Sequence, residues 1–282
     1  MKNSGFLHGV ISVIVLIVVF FAVQKLKRIA EPQFVEINNL ADIIALDDNL
    51  VPLVIYNSVP NLDTLQVSER KAAFINILLP SILLVKDQIL KDRNIINNII
   101  DKGEVMDIDT AFVNFQLKTY RVKSIEYLPE HMIMPPVSIV LAQAALESGW
   151  GTSRFFKEGN NIFGMWSYSE SHNRMAAAEK RGGVRQIYVR TFPDIYSSIL
   201  NFCQTLGRVR AYKEFRKAME TEDDPYLLVD HLKRYSERGK SYTETVKLVM
   251  RKNDFPKYDN YKLLSNWSFA EEDKTALAQL FE

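Results

Sequence analysis

The stretch Pro135-Pro136-Val137-Ser138-Ile139-Val140-Leu141-Ala142-Gln143-Ala144-Ala145-Leu146-Glu147-Ser148-Gly149-Trp150-Gly151 constrains this chain most. A proline pair suits the first turn of a helix. Val137, Val140, Leu141, Ala144 and Ala145 recur at the i, i+3, i+4, i+7, i+8 spacing of a core-facing stripe. Gly149 and Gly151 stop the helix. At about 100° per residue, Glu147 points only about 20° away from Val140, so a carboxylate leans toward the buried stripe. In the last helical turn, carbonyl dipoles disfavour its negative charge. Trp150, three residues on, is placed to shield it from water, and desolvation favours the protonated acid. A carboxylic acid that stays protonated near neutral pH is what protonates the leaving oxygen of a glycosidic bond. The plain alternative is a glutamate that merely ends a helix, paired with Arg154.

The run Ala145-Leu146-Glu147-Ser148-Gly149-Trp150-Gly151, followed by Gly159-Asn160-Asn161-Ile162-Phe163-Gly164, resembles the FlgJ-type β-N-acetylglucosaminidase family of peptidoglycan hydrolases, and within it the bacterial Bax-like branch. The resemblance covers roughly residues 115–255. Upstream, Ser68-Glu69-Arg70-Lys71-Ala72-Ala73-Phe74-Ile75-Asn76-Ile77-Leu78-Leu79-Pro80 is similar to the arm that precedes the domain in that branch. The resemblance implies a mainly α, lysozyme-like glucosaminidase domain with a small β-hairpin, an N-terminal helical arm and a transmembrane helix. It also implies peptidoglycan glycan strands as the partner, no cofactor, and a second acidic residue on a mobile hairpin that activates water.

Glu179 matches that second position, at the end of the first hairpin arm; a solvated hairpin glutamate is the alternative. The arms are Met175 to Lys180 and Val184 to Phe192 around the turn Arg181-Gly182-Gly183. Sugar rings present flat C–H faces on which aromatic rings stack. Trp150, Phe163 and Trp166 are candidates for such contacts, with ordinary aromatic core as the other reading. Two tyrosine segments resemble family features: Asp194-Ile195-Tyr196-Ser197-Ser198-Ile199 and Tyr235-Ser236-Glu237-Arg238-Gly239-Lys240-Ser241-Tyr242. Tyr196 and Tyr235 are therefore expected to touch substrate, Tyr235 the more so. The second segment departs from the commoner Tyr-Ala-Thr-Asp form. In Gly159-Asn160-Asn161 the asparagine side chains are expected to bond nearby backbone, which makes Asn161 structural rather than catalytic.

With 35 basic and 34 acidic residues the chain has no basic footprint for nucleic acid. Its single cysteine, Cys203, cannot form an intrachain disulfide and reads as a small buried hydrophobe. His8, His131, His172 and His231 lack ligand spacing, so no metal site is expected.

At 282 residues the chain exceeds a typical single domain. The expected division is a membrane anchor or signal segment at 1–28, a linker and helical arm at 29–114, the glucosaminidase domain at 115–258 and a tail at 259–282. Residues 6–23 make about 27 Å of apolar helix, just enough for a bilayer core. An uncleaved anchor is the preferred reading over a cleaved signal peptide or a buried core helix. Lys25, Lys27 and Arg28 after the segment favour a cytoplasmic main domain, against the periplasmic location that the resemblance implies. The resemblance decides for a bacterial envelope protein anchored in the inner membrane. Phe34-Val35-Glu36-Ile37 and Leu53-Val54-Ile55-Tyr56 read as short strands or linker. A helix from Ser68 to about Asn98 should kink or break at Pro80. A second runs from Ala111 to about Arg121.

Overall fold

The computed structural model describes residues 31–46, 49–177 and 186–264. The span Gln33–Leu263 forms one compact, mainly helical unit. Residues 1–32 and 264–282 group separately, and of these only Glu31, Pro32 and Leu264 are described. The predicted membrane segment at 6–23 and Glu179 lie outside the described residues.

The helices are α1 (Val67–Lys102), α2 (Asp107–Tyr120), α3 (Leu128–His131), α4 (Val137–Ser148), α5 (Arg154–Gly159), α6 (Ile195–Arg208), α7 (Lys213–Ala218), α8 (Pro225–Val229) and α9 (Lys240–Lys252). Helix α4 runs through the middle. The sequence predicts one apolar stripe on it, but every residue from Val137 to Ala145 is buried. A helix that is apolar on nearly all sides is stable only when other elements surround it. Here α1, α8, α9 and the 3-10 turn Phe255–Asn260 do so. Each fully buried Val, Leu or Ile contributes roughly 1.5–3 kcal/mol.

Helix α1 is 36 residues long and is not interrupted at Pro80, contrary to the sequence expectation. A proline removes one backbone hydrogen bond and crowds the preceding turn. Burial of the whole run Ile77–Val85, the proline included, outweighs that local cost. The helix begins with a capping box, in which the Gln66 N–H donates to Glu69 Oε2 at 3.2 Å, and ends at Gly103. By length and composition α1 could cross a membrane, but 61% of its apolar window is buried inside the protein. It is the core helix against which α4 and α6 pack.

Helix α2 starts earlier than the sequence predicts, at Asp107 rather than Ala111. Asp107 and Asp109 occupy its first turn, where acidic side chains complement the helix dipole. Helix α6 is capped by Asp194, whose Oδ1 accepts from the Ser197 N–H at 2.6 Å. It crosses the end of α3 so closely that a Cβ on Gly207 would lie 2.3 Å from the His131 carbonyl oxygen.

The strands are β1 (Gln33–Val35), β2 (Leu50–Val51), β3 (Val54–Tyr56), β4 (Arg174–Ala176), β5 (Tyr188–Arg190) and β6 (Lys262–Leu263). Pairs β1–β3 and β2–β6 are parallel, so the segments before α1 and after α9 are stitched together. Pair β4–β5 is antiparallel, as the sequence predicts, in the register Arg174↔Arg190, Met175↔Val189, Ala176↔Tyr188; its strands are shorter than the expected arms, and the expected turn Arg181-Gly182-Gly183 lies outside the described residues. Cys203 is buried in α6, with Sγ 3.7 Å from Met134 Sδ.

Candidate active site

Glu147 sits in the last turn of α4, half-buried. The turn that follows is tight. Gly149, Trp150 and Gly151 all take left-handed backbone conformations, with φ of 60°, 59° and 83°. A side chain on Gly151 would meet Leu62 at 2.9 Å and Phe156 at 3.2 Å. Chain reversal in this small space is what the Gly-Trp-Gly sequence serves.

Burial raises the Glu147 pKa above the usual glutamate value. Two groups pull the other way: the Tyr242 hydroxyl, which donates to Oε1 at 2.9 Å, and the positive charge of Arg238. Burial is the largest of the three effects. The ion pair with Arg154 does not form; Arg154 binds Glu158 at 3.2 Å and the Ala176 carbonyl at 2.6 Å. Tyr242 in turn accepts from Gln143 Nε2 at 3.0 Å. Gln143 lies four residues before Glu147, hence on the same helix face. Since Tyr242 occupies Oε1, Oε2 is the oxygen left to carry a proton.

Aromatic rings build out this surround. Tyr235 stacks on Tyr242 with centroids 5.3 Å apart and planes 18° from parallel. Tyr212 lies 6.2 Å from Tyr235. The hydroxyls of Tyr212, Tyr235 and Tyr242 all have pKa values raised first by burial, with the Glu147 charge contributing to each. Of these three the sequence reading named Tyr235 as a contact. Tyr242 lies within the segment from Tyr235 to Tyr242, and Tyr212 carries no sequence signal. Tyr235 holds Tyr242 in place, and Tyr242 is the one bonded to the acid.

The other expected contacts divide. Trp150 packs between Phe74 and Phe255, at 5.6 and 6.0 Å, with Lys71 Nζ 4.9 Å from its ring centre. This ring takes part in the packing of α1 on the turn after α4. Phe163 is buried and stacked on Phe202 at 3.8 Å. Tyr196 stands apart from the acid. Burial pushes its hydroxyl up to about 12, and the charges acting on it are Asp92, Asp194 and Asp87. Trp166 is 43% exposed and Tyr168 is 85% exposed, with rings 6.1 Å apart. They border a groove of about 460 Å³ with Glu170, Arg174, Gln186 and Tyr188. Glu147 is not among the residues lining that groove.

Asn160 and Asn161 tie this region to the core. Asn160 Nδ2 donates to the carbonyls of Asn57 at 2.9 Å and Phe192 at 3.1 Å. Asn161 Nδ2 donates to Met165 and Arg190 carbonyls, and its Oδ1 accepts from the Met165 N–H at 2.8 Å. Both side chains are spent on backbone, as the sequence predicts. Among the described residues no group of three or more metal-ligating side chains occurs.

Residues 123–261 match the family model for glucosaminidases, described as mannosyl-glycoprotein endo-beta-N-acetylglucosaminidase. That span contains Glu147, Tyr212, Tyr235 and Tyr242 together. This span is similar to the glucosaminidase family. The chain is similar to Protein bax of Escherichia coli (strain K12), 29% identical over 187 residues. That match covers 61% of this chain and 66% of the relative, so the chain spans just under two thirds of the curated relative's length. Among solved structures, the chain is similar to the catalytic domain of the autolysin Auto from Listeria monocytogenes, at a TM-score of 0.38 and 19% identity, covering 57% of this chain and 96% of that one. It is also similar to the glycoside hydrolase domain of Salmonella typhimurium FlgJ, at a TM-score of 0.34 and 20% identity, covering 62% and 99%.

Proposed function

We propose that this protein is a peptidoglycan hydrolase that cleaves the β-1,4 bond after N-acetylglucosamine, with Glu147 as general acid. The observation that carries the reading is the half-buried Glu147, raised in pKa, with one oxygen held by Tyr242. In this mechanism Glu147 gives its proton to the bridging oxygen, the C1–O bond breaks, and Glu147 is left as a carboxylate. Tyr242 then stabilises that carboxylate through its donated hydrogen bond. Water adds at C1 and leaves a reducing N-acetylglucosamine end.

The water needs a base or an equivalent. Among the described residues no second carboxylate acts on Glu147. Glu179, expected from the sequence at the end of the first hairpin arm, is the proposed activating partner; the substrate's own acetamide oxygen is the alternative. Trp166 is the proposed sugar platform, since its ring is exposed beside Tyr168 in a groove. The catalytic domain is proposed as 115–258, preceded by an arm at 29–114. The proposed location is the periplasmic side of the bacterial inner membrane, with residues 6–23 as anchor.

The test is digestion of purified peptidoglycan by the full chain, with product ends identified by mass spectrometry. Reducing N-acetylglucosamine ends are expected, and Glu147→Gln should lower the rate by about 10²–10⁴-fold. Anhydro-muramic ends would make the protein a lytic transglycosylase instead. Undiminished activity of Glu147→Gln would remove the acid from the mechanism.

A further inference from the structure

A groove of about 370 Å³ lies between the hairpin and α6, lined by His172, Asn173, Arg190, Phe192, Asn201 and Gln204 among others. Two of its polar atoms have no hydrogen-bond partner within the protein. Asn201 is only 9% exposed, yet its Oδ1 is buried with no hydrogen-bond partner. The buried Nε of Arg190 likewise has none. Leaving such groups unmade costs about 1–3 kcal/mol each, so natural proteins seldom keep them without a use. The Arg190 guanidinium lies over the Phe192 ring at 5.2 Å and has no carboxylate partner among the described residues.

The surrounding field is positive. Arg208 is on α6 seven residues past Asn201, hence on the same face, and its hydrogen bond goes to the neutral Thr205 hydroxyl at 2.8 Å. Burial lowers the His172 pKa, and the charges of Arg190, Arg208 and Arg174 lower it further. Nearby, Glu170 pairs with Arg174 at 3.1 Å, and Asp194 accepts from the N–H of the lining residue Ser197 at 2.6 Å. Arginine presents a planar donor fork suited to a carboxylate. A buried carbonyl oxygen such as that of Asn201 is instead an acceptor, suited to a peptide N–H. One ligand that offers both within a short span is an acidic peptide; inorganic phosphate supplies no N–H.

We propose that the groove lined by His172, Arg190, Asn201 and Gln204 binds the acidic peptide branches of peptidoglycan, with Arg190 on a carboxylate and Asn201 on a peptide N–H. This rests on the hydrolase reading for the identity of the ligand. It makes the enzyme sense the peptides on a strand as well as the sugars.

The test measures binding to the full chain carrying Glu147→Gln, which halts turnover. The probes are soluble peptide-bearing strands, the same strands stripped of peptide, and the released acidic peptide. Peptide-bearing strands should bind about tenfold more tightly than stripped ones, the effect of one charge-assisted hydrogen bond. Adding Arg190→Gln should bring that ratio to about one. Should Arg190→Gln fail to fold, Gln204→Glu, which places a negative charge in the groove, should do the same. A ratio of about one before either substitution, or one that neither changes, would overturn the peptide site. Stripped strands that bind without peptide preference would sink this site and leave the hydrolase reading standing. Released peptide and peptide-bearing strands that bind through Arg190, with stripped strands not binding at all, would keep the site and sink the polysaccharide reading.

Discussion

Helix α4 carries a carboxylate at each end, and the two behave differently. Asp259, from the 3-10 turn Phe255–Asn260, meets the N-terminal end: its Oδ1 accepts from the Ser138 N–H at 2.8 Å and its Oδ2 from the Ser138 hydroxyl at 2.7 Å. Glu147 stands at the C-terminal end with one hydrogen bond, from Tyr242. Burial raises both pKa values above their usual range. Asp259 nevertheless sits where the helix dipole favours negative charge, with both oxygens committed, and Glu147 sits where the dipole opposes it. The first arrangement anchors a helix. The second commits only Oε1 among the described residues, with the pKa raised by burial.

The largest contrast should appear when each acid is replaced. Glu147→Gln should abolish most turnover, by about 10²–10⁴-fold, and leave the fold intact. Asp259→Ala should do the reverse, costing about 1–3 kcal/mol of stability because the Ser138 N–H and hydroxyl lose their acceptor. Thermal unfolding checks the stability, and the rate per folded molecule should stay near that of the unsubstituted protein. If Asp259→Ala silenced the enzyme without lowering its melting temperature, the contrast would fail.

A smaller effect separates Tyr242 from the acid itself. Its hydroxyl stabilises the Glu147 carboxylate and so lowers the pKa. Removing it in Tyr242→Phe should therefore raise the pKa further, and the alkaline limb of the pH–rate profile should move to higher pH. The rate at the optimum should fall only about tenfold, the order of one hydrogen bond to a charged group. An alkaline limb that moves down would contradict the assignment of donor and acceptor.

Local patterns carried much of this in the sequence. The capped end of α4, the hairpin strands and the backbone-bonding asparagines all rest on turn chemistry and period, which act over a few residues. Pro80 misled because its local cost is set against burial that only the folded chain reveals. The rings that Trp150 and Phe163 pack against were hidden for a related reason. An aromatic ring next to a glycine turn has the same sequence signature whether it faces Phe74 or a sugar. Tyr212 and Tyr242 reach Glu147 from 65 and 95 positions away, a distance no periodicity spans. Gln143 could have been found as the polar residue one turn before the acid on a helix that is otherwise apolar.

The most direct test of the central claim is the titration of the Glu147 side chain, followed by ¹³C NMR with Glu147→Gln to assign the carboxyl signal. The account predicts a midpoint above the ordinary glutamate value of 4.5 and a further rise in Tyr242→Phe. A midpoint below 4.5 would mean that Tyr242 and Arg238 outweigh burial, leaving a carboxylate where the mechanism needs an acid.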